Sequence, residues 1–532
     1  MGGRRFAHRA WAALSGIVAA AVLLAASELI AAFVAPQASP LLAVGSFVID
    51  IVPRPLKEFA ISTFGSFDKP ALLIGLGIAV AVAAAVAGLL QAWRTPWGAV
   101  LLATGGTAGT AAVATRAGAS LLALVPPVVG TVAGVAVLVL LVARLRRWTD
   151  AVRSAPATGS AEEAAAAADA VSARGQGVDR RAFFRFALIA GASAVVIGAG
   201  SRIWTATTAS IDGIRRALRL PAPQRTVTIP AGAELDIPGL TPLITPNTDF
   251  YRVDTALTVP QVDPSSWRLS VDGMVDEPFD LSFDDLLAMG VDEYGITLTC
   301  VSNEVGGDLV GNAIWLGVPV RDILARAKPQ AGADMVLSHS VDGFTASTPL
   351  ASLTDADLDA ILAVGMNGEP LPLEHGFPVR MVVPGLYGYV SATKWLNRLS
   401  VTTYAKDEAY WTPRGYSAKA PIKFSSRVDT PKLGTQVSAG TVPIAGVAWA
   451  QTVGIARVEV SVDNGPWQQA TLSNPINDDT WVQWMMPWEA TAGTHYIAVR
   501  AVDKAGNLQI EQAAPIAPDG SSGWQRTLVS VS

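Results

Sequence analysis

The stretch LTCVSNEVGGDLVGNAIWLGVPV, residues 298–320, holds Cys300, the one cysteine in a chain of 532 residues. A strand-like piece, YGITLTC, runs up to the thiol, and a polar loop containing Gly and Asn comes after it. A single cysteine cannot close an internal disulfide. Nor can it supply a four-cysteine zinc or iron–sulfur site, or a C-x-x-C-H haem attachment. Three readings stay open: a small buried hydrophobe, a nucleophile paired with a histidine, or a soft thiolate ligand to a metal whose other ligands come from a cofactor. Thiols that face polar loops are the reactive ones, which shifts weight to the last two.

Downstream, EHGFPVRMVVPGLYGYVSATKW (374–395) places His375, Arg380 and Lys394 around a Gly-rich turn. One imidazole, two cations and several backbone N–H groups make an anion site. A thiolate beside an anion site points to an anionic, metal-bearing cofactor.

Around these motifs, residues 266–425 mix strand-like pieces (WRLSVDG, ITLTC, VRMVVPG) with helix-like ones (LSFDDLLAMG, PVRDILARA, LTDADLDAILAVG). Ser282 before Asp284 and Asp285 marks a helix start. The mixture predicts an α+β domain over 207–425. After about 430 the pattern turns all-β. In ARVEVSVDNGPWQQATL (456–472), Val458, Val460 and Val462 alternate with polar residues, and Asp463-Asn464-Gly465 is a turn signal. A β-sandwich is expected over 426–532, of immunoglobulin-like architecture without the Cys…Trp…Cys signature. Trp481, Trp484 and Trp488 are expected in its core or at a dimer interface.

The first 205 residues carry most of the hydrophobic excess in a chain of mean hydropathy +0.37. Apolar runs at about 11–35, 70–92, 97–115 and 119–143 are long enough to span a bilayer, and a fifth lies at 184–204. The run 41–52 is shorter and reads as interfacial. Arg4, Arg5, Arg9, Arg94, Arg144, Arg146 and Arg147 fall on one side, which the positive-inside rule makes cytoplasmic. A four-span region (1–148) is therefore followed by a low-complexity cytoplasmic linker (149–178). Then comes DRRAFFRF within 179–206, whose Arg180–Arg181 pair before an apolar run resembles a twin-arginine export signal. Residues from 207 onward are expected outside the cytoplasm on a multi-pass cell-membrane anchor. Glu28, the one carboxylate in a span, is expected near an interface. His8, His339, His375 and His495 are the four histidines, and none falls inside the predicted spans, so a membrane haem held by paired histidines is not supported. The expected cofactor set contains no haem, iron–sulfur cluster or zinc. The net charge of −5 gives no reason to expect nucleic acid as a partner.

HGFPVRMVVPG with its aromatic/Gly turn and K-W, the lone cysteine upstream, FYRVDTAL (250–257) and MNGEPLP (366–372) together resemble the molybdopterin-binding core of the sulfite oxidase family. The resemblance runs from about 245 to 525. It implies that Cys300 is the molybdenum ligand. It implies that His375, Arg380 and Lys394, with backbone of Ala392 and Thr393, hold the pterin and its phosphate. Asn247, Phe250, Tyr251 and Arg252 match the family's first cofactor segment, Asp342 matches a pterin-contacting Asp, and Tyr416 matches an active-site Tyr, with Arg414 beside it. The C-terminal sandwich matches a dimerisation domain, which implies a homodimer. The implied activity is oxygen-atom transfer on a small molecule, with a separate protein as electron donor or acceptor. Sulfite oxidases place an Arg shortly after the ligand cysteine. Here Val301-Ser302-Asn303-Glu304 stands in that place, which leaves the substrate open between sulfite and an S-oxide or N-oxide. Two other classes compete: a non-catalytic membrane-tethered scaffold, and a hydrolase using Cys300 and a histidine.

Overall fold

The computed structural model describes residues 2–34, 40–52, 68–115, 121–153 and 211–532. The chain forms two compact bodies, divided near residue 208.

The first body is helical. Its described residues form helices α1 (Gly2–Val34), α2 (Pro40–Ile51), α3 (Asp68–Trp93), α4 (Trp97–Ala114) and α5 (Val125–Arg153), with one short 3-10 turn at Leu121–Leu124. Four segments are long and apolar enough to cross a membrane: His8–Ala31, Ala71–Trp93, Trp97–Ala114 and Leu121–Arg147. These are the four spans read from the sequence. The first opens at His8, three residues earlier than expected, because helix α1 continues through the basic end of the apolar run; one histidine therefore stands at a span's edge. Glu28 lies near the other end of that span. The run 41–52 is helix α2, whose Ala43 packs in a small cluster with Val113 and Ala123. Small residues let α1 and α3 touch backbone to backbone: a Cβ at Gly16 would collide with the Ala84 carbonyl, and one at Gly88 with that of Ala12. Arg146 caps the C-terminal end of α3, donating from Nη2 to the carbonyls of Gln91 (2.6 Å) and Ala92 (3.2 Å). The expected linker, twin-arginine pair and fifth span lie outside the described residues.

The second body joins an α+β part to a β-sandwich. Its first sheet has β1 (Arg268–Gly273), β2 (Phe279–Ser282), β5 (Met335–Ser340), β6 (Thr345–Pro349) and β10 (Leu396–Thr402), in the order β2-β1-β10-β5-β6. Only the β1–β10 pair is parallel. The second sheet, all antiparallel, has β3 (Asp292–Thr299), β4 (Val310–Pro319), β7 (Ile361–Met366) and β8 (Glu369–Pro370) in that order, with β9 (Arg380–Val382) on β7. Helix α6 (Phe283–Ala288) starts where Ser282 predicts it. The Ser282 hydroxyl accepts from the Asp285 N–H at 3.1 Å, and the Asp285 carboxylate accepts from the Ser282 N–H at 3.0 Å. That capping box satisfies two donors that a helix start would otherwise leave open. PVRDILARA forms α7 (Val320–Ala327) as its period requires.

LTDADLDAILAVG departs from expectation. The helix stops at Thr354, and ILAVGM becomes strand β7, buried at every position between β4 and β9. A strand covered on both faces is apolar without alternation, so its sequence looks like a buried helix turn.

The C-terminal part packs two sheets face to face. One is β11 (Ser425–Thr430), β13 (Gly440–Trp449), β17 (Val482–Ala490) and β16 (Thr471–Leu472). The other is β12 (Gln436–Val437), β19 (Gln525–Val531), β18 (Gly493–Asp503), β14 (Ile455–Val462) and β15 (Gln468–Gln469). Ile444, Trp484, Val458, Val460, Ile497 and Val499 fill the space between them. Trp484 and Trp481 are both buried, and Trp481 donates its indole N–H to the Leu243 carbonyl at 2.8 Å, which ties the sandwich to the α+β part. Asp463 and Asn464 take positive φ (54° and 56°), the turn their sequence predicts between β14 and β15.

Candidate active site

A cavity of about 130 Å³ opens between the two sheets of the α+β part. Its walls come from the end of β3, the end of β5, and the connection that carries the chain from β9 to β10. The sequence motifs therefore meet because three strand ends converge, although about 40 residues separate each from the next along the chain. Cys300, Phe250, Tyr251, Asp342, Arg380, Ala392, Lys394 and Tyr416 all line it.

Cys300 directly follows β3 and is 8 % exposed. Its Sγ accepts from the Ser302 N–H at 3.4 Å. Burial pushes the thiol up from its ordinary range, while the Ser302 N–H bond and the charge of Lys394 pull the other way. A bound cation reverses that balance, because a coordinating thiol is deprotonated outright.

Two cations, Arg380 and Lys394, line the same cavity. Arg380, 4 % exposed, donates from Nη1 to the His375 carbonyl (3.2 Å) and from Nη2 to the Ala392 carbonyl (3.5 Å), and its guanidinium lies 5.0 Å from the centre of the Trp315 ring. Burial lowers it to about 10. Lys394 donates to Asp254 Oδ2 (3.0 Å) and the Glu374 carbonyl (2.9 Å). Burial brings it down to about 8, against the pull of Asp254. Arg252 also pairs with Asp254, at 2.8 Å, but its side chain is 38 % exposed and lies off the cavity wall. Gly376 allows this crowding. Its φ of +111° suits glycine alone, and a Cβ there would come within 3.0 Å of Arg380 Cβ and 3.1 Å of Lys394 Cα.

The other predicted residues sit around this centre. His375 is buried, with Nε2 3.1 Å from the Asn247 carbonyl. The Asn247 side chain bonds elsewhere, to Glu369, the Met366 carbonyl and Asn367. Phe250 packs edge-on to both His375 and Trp315, and Tyr251 stacks on Phe250 at 5.2 Å. Thr393 is buried, its hydroxyl 2.7 Å from that of Ser338. Asp342 accepts from the Thr255 hydroxyl (3.0 Å) and the Phe344 N–H (3.1 Å). Tyr416 lies against Tyr389 and Trp411. Arg414 stacks on the Tyr410 ring at 3.8 Å and is not on the cavity wall. Sequence reading passed over Asp254, although it stands inside the quoted FYRVDTAL. Nothing local marks it as the partner of a lysine 140 residues on. It also passed over Phe344, Tyr389 and Trp411, whose aromatic character gives the outer cavity its apolar wall.

The residues fit an anionic cofactor that brings its own metal ligands. His375 Nδ1 and Arg380 Nε are buried polar atoms without a hydrogen-bond partner. Such atoms cost free energy unless something bound satisfies them. Among the described residues, no three of His, Cys, Asp and Glu gather to hold a metal, so an ion at Cys300 would need ligands from elsewhere.

His375 also carries a pH prediction. Burial, then the charges of Arg380 and Lys394, lower it to about 3. An unfolded histidine titrates near 6.5, so between those values only the unfolded chain holds the extra proton. The resulting stability is complete above 6.5 and drains as pH falls, by up to about 1.4 kcal/mol per pH unit. Urea unfolding followed by tryptophan fluorescence at pH 7, 6 and 5 should show this slope, and His375→Gln should flatten it. Identical slopes in the two proteins would refute the assignment.

Two family models and several curated proteins match this chain. The family described as oxidoreductase molybdopterin binding domain matches residues 256–411, and the Mo-co oxidoreductase dimerisation domain matches 418–516. Mitochondrial sulfite oxidase of Homo sapiens is 33 % identical over 342 residues, 54 % of this chain and 62 % of that protein. Sulfite oxidase of Gallus gallus is 30 % identical over 323 residues, 51 % of this chain and 69 % of that protein. The solved structure of the sulfane dehydrogenase SoxCD from Paracoccus pantotrophus aligns over 57 % of this chain and 86 % of that one, at 23 % identity and a TM-score of 0.49. The chain spans 62 % of the length of the mitochondrial sulfite oxidases of Rattus norvegicus and Homo sapiens. Cys300, Arg380 and Lys394 fall within the residues matched by the molybdopterin-binding model, and the chain belongs to the sulfite oxidase family of molybdopterin-binding oxidoreductases.

Proposed function

We propose that this protein is a membrane-anchored, molybdopterin-dependent oxidoreductase that performs oxygen-atom transfer on a small molecule. One observation carries the reading: the chain's single thiol shares a cavity with buried Arg380 and Lys394, on a stretch that matches the molybdopterin-binding family. When bound, such a cofactor supplies two-electron oxygen-transfer chemistry at molybdenum.

The protein's part is binding and orientation. Cys300 would give the thiolate ligand. Arg380 and Lys394 would meet the phosphate, with the open Nδ1 of His375 and Nε of Arg380 toward the pterin. His375 stays neutral through the physiological range, so it can present either an N–H or a lone pair. Tyr416, with Tyr389 and Trp411, walls the side from which substrate enters, and Tyr416 orients its oxygen.

Sulfite is the first candidate substrate. The second is a neutral S-oxide or N-oxide, reduced in the opposite direction. One feature favours it: the apolar wall that Phe344, Tyr389, Trp411 and Tyr416 give the cavity. A dianion gains little beside apolar rings. The positive-inside pattern supports a catalytic body outside the cytoplasm, and the matched dimerisation domain supports a homodimer. A separate protein would supply or accept electrons.

Elemental analysis and oxidised-pterin fluorescence of the full chain, purified in detergent, test the reading. About one molybdenum and one pterin per chain are expected, as one thiolate site implies. A folded chain with neither, produced where the cofactor is available, would make the scaffold reading correct instead.

A further inference from the structure

The loop that presents Cys300 is held from outside its own domain. Inside the loop, the Cys300 N–H donates to the Leu309 carbonyl (2.9 Å) and the Asn303 N–H to the Cys300 carbonyl (3.0 Å). Asn303 Oδ1 accepts from the Leu309 N–H at 2.9 Å, which closes the loop on itself. The outside grip comes from the C-terminal sandwich. Ser521 Oγ donates to the Asn303 carbonyl at 2.6 Å. Arg427, on β11 and 7 % exposed, donates from Nη1 to the Gly307 carbonyl at 2.9 Å. Gly306, at φ +79°, rides on Gln525 so closely that a Cβ would sit 2.9 Å from its Cδ.

Arg427 is itself fixed. Its Nε bonds Asp429 Oδ1 at 2.6 Å and its Nη2 bonds Thr241 Oγ1 at 2.8 Å, while Asp429 Oδ2 accepts from the Thr241 N–H at 3.1 Å. The guanidinium fork thus ties three separate segments at one buried point. Only a planar group with several divergent donors does this, which is the property that separates Arg from Lys. An ordinary packing contact between domains would not need a buried ion pair, since apolar residues fill such space at less cost.

We infer that Arg427 and Ser521 are positioning residues: through the Gly307 and Asn303 carbonyls they hold the Cys300 loop at its working geometry, so that the C-terminal sandwich serves the active site as well as assembly. The inference rests on the reading that Cys300 faces the cofactor's metal. A ligand loop left loose by a fraction of an ångström loses activity before it loses stability.

The test compares the full chain in detergent as wild type, Arg427→Lys, Ser521→Ala and Asn477→Ala. The last removes a bond across the same domain boundary, Asn477 Nδ2 to the Gly295 carbonyl (3.0 Å), away from the loop. Amide hydrogen exchange of peptides covering 300–309 should speed up about fivefold for each lost bond in the first two variants, and stay at the wild-type rate in the third. In the molybdenum-loaded protein, kcat should fall with KM held, and the electron paramagnetic resonance signal of the metal should shift. Arg427→Lys keeps the charge beside Asp429, and Ser521→Ala removes one hydroxyl, so both variants are built to fold. Exchange that matches wild type in both loop variants would overturn the inference. So would exchange that rises evenly across the body. Molybdenum content is measured separately, so a metal-free chain refutes the cofactor reading without deciding the exchange result.

Discussion

Cys300→Ser should abolish turnover while the chain still folds. The substitution changes one atom. Serine's hydroxyl can accept the same Ser302 N–H bond that the thiol accepts at 3.4 Å, so the loop loses little. Its chemistry differs far more. A thiolate is a soft donor suited to molybdenum held by sulfur, whereas a buried alkoxide is hard and difficult to form. Residues one bond removed from a metal typically cost 10–100-fold when changed, so loss of the ligand itself should exceed about 100-fold in kcat. Pterin content should fall much less, because the cation cluster is untouched. The measurement is steady-state turnover with sulfite and with a neutral S-oxide, beside pterin fluorescence on the same sample. A serine variant within about tenfold of wild type would remove Cys300 from the chemistry and leave it a buried small hydrophobe.

Much of this was legible because the physics is local. An apolar run of about 20 residues announces a span whatever surrounds it, and all four helices long and apolar enough to cross a membrane fall where the runs are. Ser282 with Asp285 writes a helix start within four residues. Asp463-Asn464 writes a turn in two. The candidate site was legible for another reason: a lone cysteine and a cation-bearing Gly-rich segment are rare enough to be noticed apart, and three strand ends bring them into one cavity. What escaped was non-local. Asp254 draws no notice in sequence, since its role comes from Lys394 across the fold. ILAVGM gave no strand signal because burial on both faces erases alternation. Arg427 and Ser521 lie in what reads as a separate domain, so nothing in the 298–320 stretch announces that its carbonyls are held by them.

Arg380 carries the second large effect, and it separates geometry from charge. The guanidinium is 4 % exposed, bonds two backbone carbonyls, and pairs with no carboxylate among the described residues. A buried cation in that state is expensive unless an anion arrives to share the site. Arg380→Lys keeps the positive charge. It loses the fork that can hold the His375 and Ala392 carbonyls and still aim Nε elsewhere. Hydrogen bonds to charged groups contribute about 1.5–3 kcal/mol each, so losing one should weaken cofactor binding by about 10- to 100-fold, and losing two by more. Molybdenum and pterin per chain in Arg380→Lys should drop to under about a tenth of wild type after dialysis. Lys394→Arg makes the converse change, placing a fork where Asp254 and the Glu374 carbonyl hold a point charge, and should retain more cofactor. Full cofactor content in Arg380→Lys would mean that charge alone holds the anion. The open Nε of Arg380 would then be a structural accident and not part of the binding surface.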